Sequence, residues 1–196
     1  MFIAGRYTLD NTLLLNLLNK YKDTEGHIFY QFKNIDNYLQ NVVTFITTGV
    51  KSGSHIILIE NDRNFVRINK ILKRELSQGE IAKIHFINNY DFYFKNRGFE
   101  PQRIFAHYKQ NILPQLENNV PVWTWGLVEW GDNNEIIQQI EEYEKKVDRF
   151  VNEKGLISVC AYDVNRTPHS LKEILIRCHS VMLTDDTIVF PTKVTD

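Results

Sequence analysis

The chain alternates short, nearly continuous apolar runs with longer stretches in which apolar residues recur every three or four positions. That alternation predicts buried strands separated by amphipathic helices. Ile28, Phe29, Tyr30, Gln31 and Phe32 form the first run, and Asp36, Asn37, Tyr38 and Leu39 open a helical pattern that reaches about Thr48. Gly49 and Gly53 punctuate it before a strand at Ile56, Ile57, Leu58, Ile59 and Glu60. A second helix, capped by Asn61 or Asp62, is carried by Phe65, Val66, Ile68, Ile71, Leu72 and Leu76 and stops at Gly79, after which residues 82–87 read as a third strand.

Residues 88–99 mix Tyr90, Phe92, Tyr93, Phe94 and Phe99 with Asp91, Lys95 and Arg97. Pro101 then sits early in a helix carrying Ile104, Phe105, Tyr108, Ile112 and Leu116, which Pro114 is expected to kink or end. A strand over 120–130 leads to a helix over about 133–152 that Gly155 stops. A strand over 156–162, a loop over 163–167 and a helix over 168–178 follow, and residues 179–183 and 187–190 read as terminal strands around Thr184, Asp185 and Asp186. Upstream, Leu9, Leu13, Leu14, Leu17, Leu18 and Tyr21 form a helical stripe that ends at Asp23 to Gly26. Five strand-helix alternations predict an α/β fold, a three-layer α/β/α sandwich with a mainly parallel sheet, right-handed crossovers and an antiparallel edge at the C-terminus. The expected division is a helical arm over 1–25 and one domain over 26–196.

At 196 residues and 43% hydrophobic content the chain fits one continuous core. A net charge of -1 with interspersed signs argues against a nucleic-acid face or a membrane-attracting surface. No secretory signal is recognisable, and no apolar run reaches the roughly 18 residues of a membrane span. Cys160 and Cys178 stand without CxxC spacing, which fits free thiols in a reducing, cytoplasmic setting.

The first strand-to-helix turn, Gln31-Phe32-Lys33-Asn34-Ile35, contains no glycine. A phosphate cradle needs glycines and a Lys-Ser/Thr pair there, because backbone N–H groups must converge on the anion and a Cβ would block them. The unit therefore predicts recognition in place of nucleotide hydrolysis. Ligand crevices of open α/β sheets lie at the carboxyl ends of the strands. Those ends present Tyr30, Phe32, Glu60, Asp91, Tyr93, Glu129, Trp130, Tyr162, Asp163 and Arg166, a set suited to a small, partly apolar or cationic ligand. The alternative is that Glu129, Asp163 and Arg166 form a structural ion-pair and capping cluster.

Glu142 and Glu144, two residues apart on the long helix, cannot share a face, so one is expected to point inward. His179 follows the last helix and is expected, as a protonated imidazole, to favour the negative end of the dipole. With no second ligand at metal spacing, neither a metal nor a cofactor is expected. Cys160 lies in an apolar strand and reads as an inert buried thiol. No G-x-S-x-G or HExxH pattern occurs, so His27, His55, His85 and His107 are assigned no chemistry and no catalytic residue is expected.

Several motifs together resemble the MEDS domain, a sensory module of methanogens, methylotrophs and other microbes best known from a dichloromethane-responsive repressor. They are His27-Ile28-Phe29-Tyr30, then Gly49 and Gly53, Asp91-Phe92-Tyr93, Gly98-Phe99-Glu100-Pro101, Gly126 with Glu129-Trp130, Glu142-Tyr143-Glu144, Cys160-Ala161-Tyr162-Asp163 with Arg166, and His179. The resemblance implies a RecA/KaiC-like scaffold in which Glu60 resembles the catalytic-glutamate position and Glu129 the Mg²⁺-supporting acid. The phosphate loop has no counterpart, and losing even one electrostatic donor removes about 3 kcal/mol of transition-state stabilisation. It also favours Glu142 or Glu144 touching the site. The implied function is a non-catalytic cytoplasmic sensory module that binds a small molecule or a partner protein. Its rivals are a residual nucleotide-binding ATPase-like enzyme using Glu60 and Glu129 with a metal, and a ligand-free adaptor. Family members are often fused to a DNA-binding or histidine-kinase domain. This chain has room for neither, so output is expected through a signalling partner or self-association, with the Leu-rich N-terminal helix as the natural contact, although packing back onto its own sheet is the commoner fate of such a stripe.

Overall fold

Every residue of β1 (Gly26–Phe32) is buried, because β1 lies inside the sheet with helices over both faces. Alternate side chains therefore enter two different cores, and the sequence shows an unbroken apolar run. The computed structural model describes residues 12–21, 25–94, 98–131 and 135–191. The other strands are β2 (His55–Glu60), β3 (Ile84–Asn88), β4 (Val122–Leu127), β5 (Ile157–Asp163), β6 (Val181–Thr184) and β7 (Ile188–Val189), in the order β3-β2-β4-β5-β1-β6-β7. All pairings are parallel except β6 with β7.

The helices are α1 (Thr12–Tyr21), α2 (Ile35–Lys51), α3 (Asp62–Glu75), α4 (Gln78–Ile81), α5 (Asn89–Phe94), α6 (Pro101–Glu117), α7 (Ile136–Lys154) and α8 (His169–Cys178). Helices α1, α2 and α3 cover one face of the sheet over Ile28, Tyr30, Leu58, Trp125 and Val159. Helices α5 to α8 cover the other, over Phe29, Ile57, Cys160 and Tyr162. This is the three-layer α/β/α sandwich the periodicity predicts. No helix among the described residues is long and apolar enough to cross a membrane.

Asn34 caps α2 by accepting from the amides of Asp36 and Asn37, and Gly155, left-handed at φ 64°, ends α7. The departures from expectation are local. Helix α6 continues past Pro114 to Glu117, because in the last turn the lost N–H and the ring clash affect one hydrogen bond only. Residues 89–94 close into α5, and a capping box between Ser77 and Glu80 nucleates α4 where Gly79 reads as a stop. The N-terminal stripe takes the commoner course: Leu14, Leu17 and Leu18 are buried in the core shared with α2. Leu9 lies outside the described residues.

Gly49 shows how closely α2 sits on the sheet: an added Cβ would lie 2.7 Å from both Ile56 Cδ1 and Trp123 Cε3. Overpacking of this kind costs about 1–3 kcal/mol, against a helix-propensity gain of about 1 kcal/mol. Gly49→Ala is therefore expected to lower the urea midpoint. A raised midpoint would show that the Trp123 indole moves aside.

Candidate functional site

The carboxyl ends of β1, β4 and β5 and the first turns of α3 enclose a crevice of about 620 Å³. Its floor is Phe32, Leu127, Val128 and Trp130, and its polar rim is Asn61, Arg63, Asn64, Arg67, Glu129, Asp163 and Arg166. Arg166 lies 4.9 Å over the Trp130 ring, donates to the Trp130 carbonyl, and pairs with Glu129 at 3.5 Å. Arg67 pairs with Asp36 at 2.7 Å; with both partners about half exposed, solvent leaves that pair little energy and the guanidinium readily exchanged. Asp163 Oδ1 accepts from the amide and the side chain of Asn165, which shapes the loop carrying Arg166.

At the β1–α2 turn an internal carboxylate already occupies the anion position. Asp185, in the turn between β6 and β7, accepts from the backbone N–H groups of Lys33 and Asn34 at 3.0 Å each and from the Tyr30 hydroxyl at 2.7 Å. Asn34 Oδ1 accepts from two further amides, those of Asp36 and Asn37. A triphosphate arriving here would find these donors taken.

Glu60 ends β2 behind the crevice. It is fully buried and accepts from Tyr38, from the Asn61 amide at 2.8 Å and from Asn64 Nδ2 at 3.1 Å, while Trp125 Nε1 donates to the Tyr38 hydroxyl at 3.1 Å. Burial pushes the Glu60 carboxyl up to about 7, and the three hydrogen bonds pull it only part of the way back.

A second polar cluster lies on the opposite face. His27, Glu144, Cys160 and His179 are buried, and a ligating atom of each lies within 4.8 Å of those of the others; among the described residues this is the group able to hold a metal ion. The His27 and His179 rings stack with centroids 3.9 Å apart. Burial and the neighbouring His27 push the His179 imidazole down to about 3, so it caps α8 as a neutral ring through Nδ1 and the Leu175 carbonyl, not as the imidazolium the sequence predicts. Burial pushes the Cys160 thiol up.

The sequence profile of the MEDS family, the MEthanogen/methylotroph, DcmR Sensory domain, matches residues 26–180. The chain belongs to the MEDS family. No curated protein matches its sequence. Among solved structures it is similar to an ATPase domain at a TM-score of 0.55 and 9% identity, over 90% of this chain and 75% of that one. It is also similar to a Pyrococcus horikoshii OT3 protein solved as project PH0250, at a TM-score of 0.51 and 12% identity over 94% of both chains. The KaiC-like protein PH0186 of the same archaeon matches at a TM-score of 0.50 and 10% identity, over 82% of this chain and 71% of that one. At such identities the likeness is one of fold, and the fold of this MEDS chain is RecA/KaiC-like.

Among the expected site residues of the MEDS chain, Phe32, Glu129, Trp130, Asp163 and Arg166 meet in the crevice. Tyr30, Glu60 and Tyr162 are fully buried beside lining residues, Tyr93 is buried in the core under α5 to α7, and Asp91 is exposed on α5, outside the lining. The structural alternative is present in the same place, since Glu129 and Arg166 pair and Asp163 stabilises a turn. Glu144 is the inward member of its pair, whereas Glu142 is half exposed and bridges to Lys146. Sequence reasoning missed Arg63, Arg67 and Asn64, although a helix that starts at a strand's carboxyl end turns its first residues toward the crevice. It also missed the convergence of His27, Glu144, Cys160 and His179. The rim thus carries three arginines, Arg63, Arg67 and Arg166, beside the acids Glu129 and Asp163.

Proposed function

We propose that this sensory domain binds a small molecule with an anionic or strongly polar head and an apolar body in the strand-end crevice, and that it does not hydrolyse ATP. The observation that carries the reading is the pairing of an open crevice, rimmed by Arg63, Arg67 and Arg166 and floored by Phe32 and Trp130, with a first crossover whose amides are engaged by Asp185. Guanidinium groups give planar, bidentate recognition of carboxylates, and an aromatic floor takes up the remaining apolar surface. Occupancy would reorganise the Arg67–Asp36 and Arg166–Glu129 pairs, which tie α3 to α2 and the β5–α8 loop to the end of β4. A change in those elements is what a signalling partner or a second copy of the chain would read.

Mass spectrometry of small molecules released from freshly purified protein tests this. A compound is expected whose return at a hundredfold excess over its Kd raises the Tm by about 5–10 °C, since such saturation adds about 2.7 kcal/mol. Arg166→Ala should weaken binding by about 10–100-fold, through loss of a charged hydrogen bond. Mg-ATP is expected neither to raise the Tm nor to be turned over. Steady turnover abolished by Glu60→Gln would establish the ATPase reading that the structural neighbours favour. Protein that carries no compound and responds to none would establish the adaptor reading.

A further inference from the structure

Buried polar atoms are almost always met by a partner, and within the cluster of His27, Glu144, Cys160 and His179 two are not. His179 Nδ1 lies 2.7 Å from the Leu175 carbonyl, which only accepts, so Nδ1 carries the proton and Nε2 presents a lone pair. His27 Nδ1 faces the Cys178 carbonyl at 3.2 Å and Asp148 Oδ1 at 3.3 Å, again acceptors, which likewise turns the lone pair of the neutral ring onto Nε2. Glu144 Oε1 accepts from the Tyr162 hydroxyl, and Oε2 points into the gap between the rings, 3.3 Å from His27 Nε2 and 3.4 Å from His179 Nε2. Neither Glu144 Oε2 nor His179 Nε2 has a hydrogen-bond partner. Cys160 Sγ completes the group, 3.5 Å from His27 Nε2.

We propose that His27 Nε2, His179 Nε2, Glu144 Oε2 and Cys160 Sγ form a binding site for one divalent transition-metal ion of the zinc type. Tetrahedral coordination at about 2.0–2.3 Å sets neighbouring donor atoms about 3.3–3.8 Å apart; three of the separations, at 3.3, 3.4 and 3.5 Å, fall in that range and the others lie within 4.8 Å. Two imidazole nitrogens, one carboxylate and one sulfur suit such a metal, whereas Ca²⁺ and Mg²⁺ take oxygen ligands. Charge balances as well. The ion's two positive charges meet one carboxylate and one thiolate, and the Cys160 S–H proton passes to water as the metal–sulfur bond forms. A proton on His27, between Glu144 and Asp148, would supply a counter-charge but would leave His179 Nε2 without a donor.

The surroundings are those of a metal site. Each imidazole is fixed through Nδ1 by a carbonyl, and the carboxylate is fixed by Tyr162, which orients the ligating atoms toward one point. Four protein ligands leave no open position, so the ion is structural and pins β1, β5, α7 and the end of α8 together. The stacked His27 and His179 rings spread as it enters. The Tyr162 ring also contacts Trp130 at 5.7 Å, which places the site directly behind the crevice floor.

Expression of the full chain in Co²⁺-supplemented medium, followed by purification of the folded protein, tests the assignment. One Co²⁺ per chain is expected, with a thiolate-to-cobalt charge-transfer band in the near ultraviolet and the strong visible absorption of a tetrahedral site. Cys178→Ser should keep the band, and Cys160→Ser should lose it or weaken it at least about tenfold. Because the chain has two cysteines, retention of the band in Cys178→Ser identifies Cys160 even where Cys160→Ser does not fold. Folded wild-type protein holding less than roughly a tenth of an ion per chain would overturn the proposal. So would cobalt bound without a thiolate band, or a band that survives in Cys160→Ser and vanishes in Cys178→Ser.

Discussion

Glu144→Ala is expected to cost about 3–5 kcal/mol of folding stability, read as a fall in the urea midpoint at unchanged m-value. The carboxylate is fully buried on α7, accepts the Tyr162 hydroxyl and faces two imidazoles. Burial alone would push its pKa up. The adjoining His27 and His179 rings and the Tyr162 hydroxyl outweigh burial and hold it below the ordinary value, so the group is ionised in the folded chain. Alanine would strip Tyr162 of its acceptor, leave His27 with Asp148 as its only acidic neighbour in the cluster, and open a cavity between α7 and β5. These losses coincide at one site, which is why the expected cost exceeds that of an ordinary buried hydrogen bond. Glu142→Ala provides the contrast: that side chain is 49% exposed and its pair with Lys146 is screened, so its removal should change stability by no more than about 0.5 kcal/mol. A loss below about 1 kcal/mol for Glu144→Ala would show that the cluster does not depend on its carboxylate.

The fold was legible because a doubly covered parallel sheet writes itself as unbroken apolar runs. Residues 28–32, 56–60 and 156–162 each became a strand within a residue or two of expectation. That same burial on both faces erases the polarity contrast between alternate residues, so the sequence could not say which helix layer each face of a strand meets. Elsewhere local rules were read too strongly. Pro114 predicts a kink or a stop, yet a proline in the final turn disturbs a single backbone bond. The stripe at Leu14, Leu17 and Leu18 identified α1, but periodicity reports an apolar face and not its neighbour, which proved to be the chain's own α2.

The two clusters differ in legibility for a geometric reason. The strand-end rule located Phe32, Glu129, Trp130, Asp163 and Arg166, because strand termini can be read from strand boundaries alone. His27, Glu144, Cys160 and His179 come from four separate elements, and spacing rules find only ligands on one helix or loop. Their meeting depends on register. β1 pairs with β5 so that Phe29 stands opposite Cys160, and His27, two residues earlier, shares that face. Only with the strand order known does Cys160 change from an isolated thiol into a member of a cluster.

Glu60 should make the folded chain less stable as pH rises from about 4.5 to about 7, the reverse of the usual behaviour of a native carboxylate. Below its ordinary value of 4.5 it is protonated in both folded and unfolded chains and contributes no difference. Between 4.5 and about 7 the unfolded chain releases the proton while the folded chain retains it, so the unfolded state binds fewer protons and stability falls. Above about 7 both are ionised and the penalty is constant, about 3 kcal/mol for a shift of this size. The physical source is burial behind Tyr38 and Trp125, which the Asn61 and Asn64 hydrogen bonds offset only in part. Urea unfolding of wild type and Glu60→Gln across pH 4.5–8 isolates the effect, since other titrating groups cancel in the difference. The stability of wild type relative to the variant should fall by about 3 kcal/mol over that range. A difference that stays flat or rises with pH would mean that Glu60 is ionised throughout and that its hydrogen bonds, not its burial, set its charge. Because the Asn64 side chain both donates to Glu60 and lines the crevice, an anionic ligand drawing on that side chain would raise the Glu60 carboxyl further. The fall in stability should then move to higher pH when ligand is present.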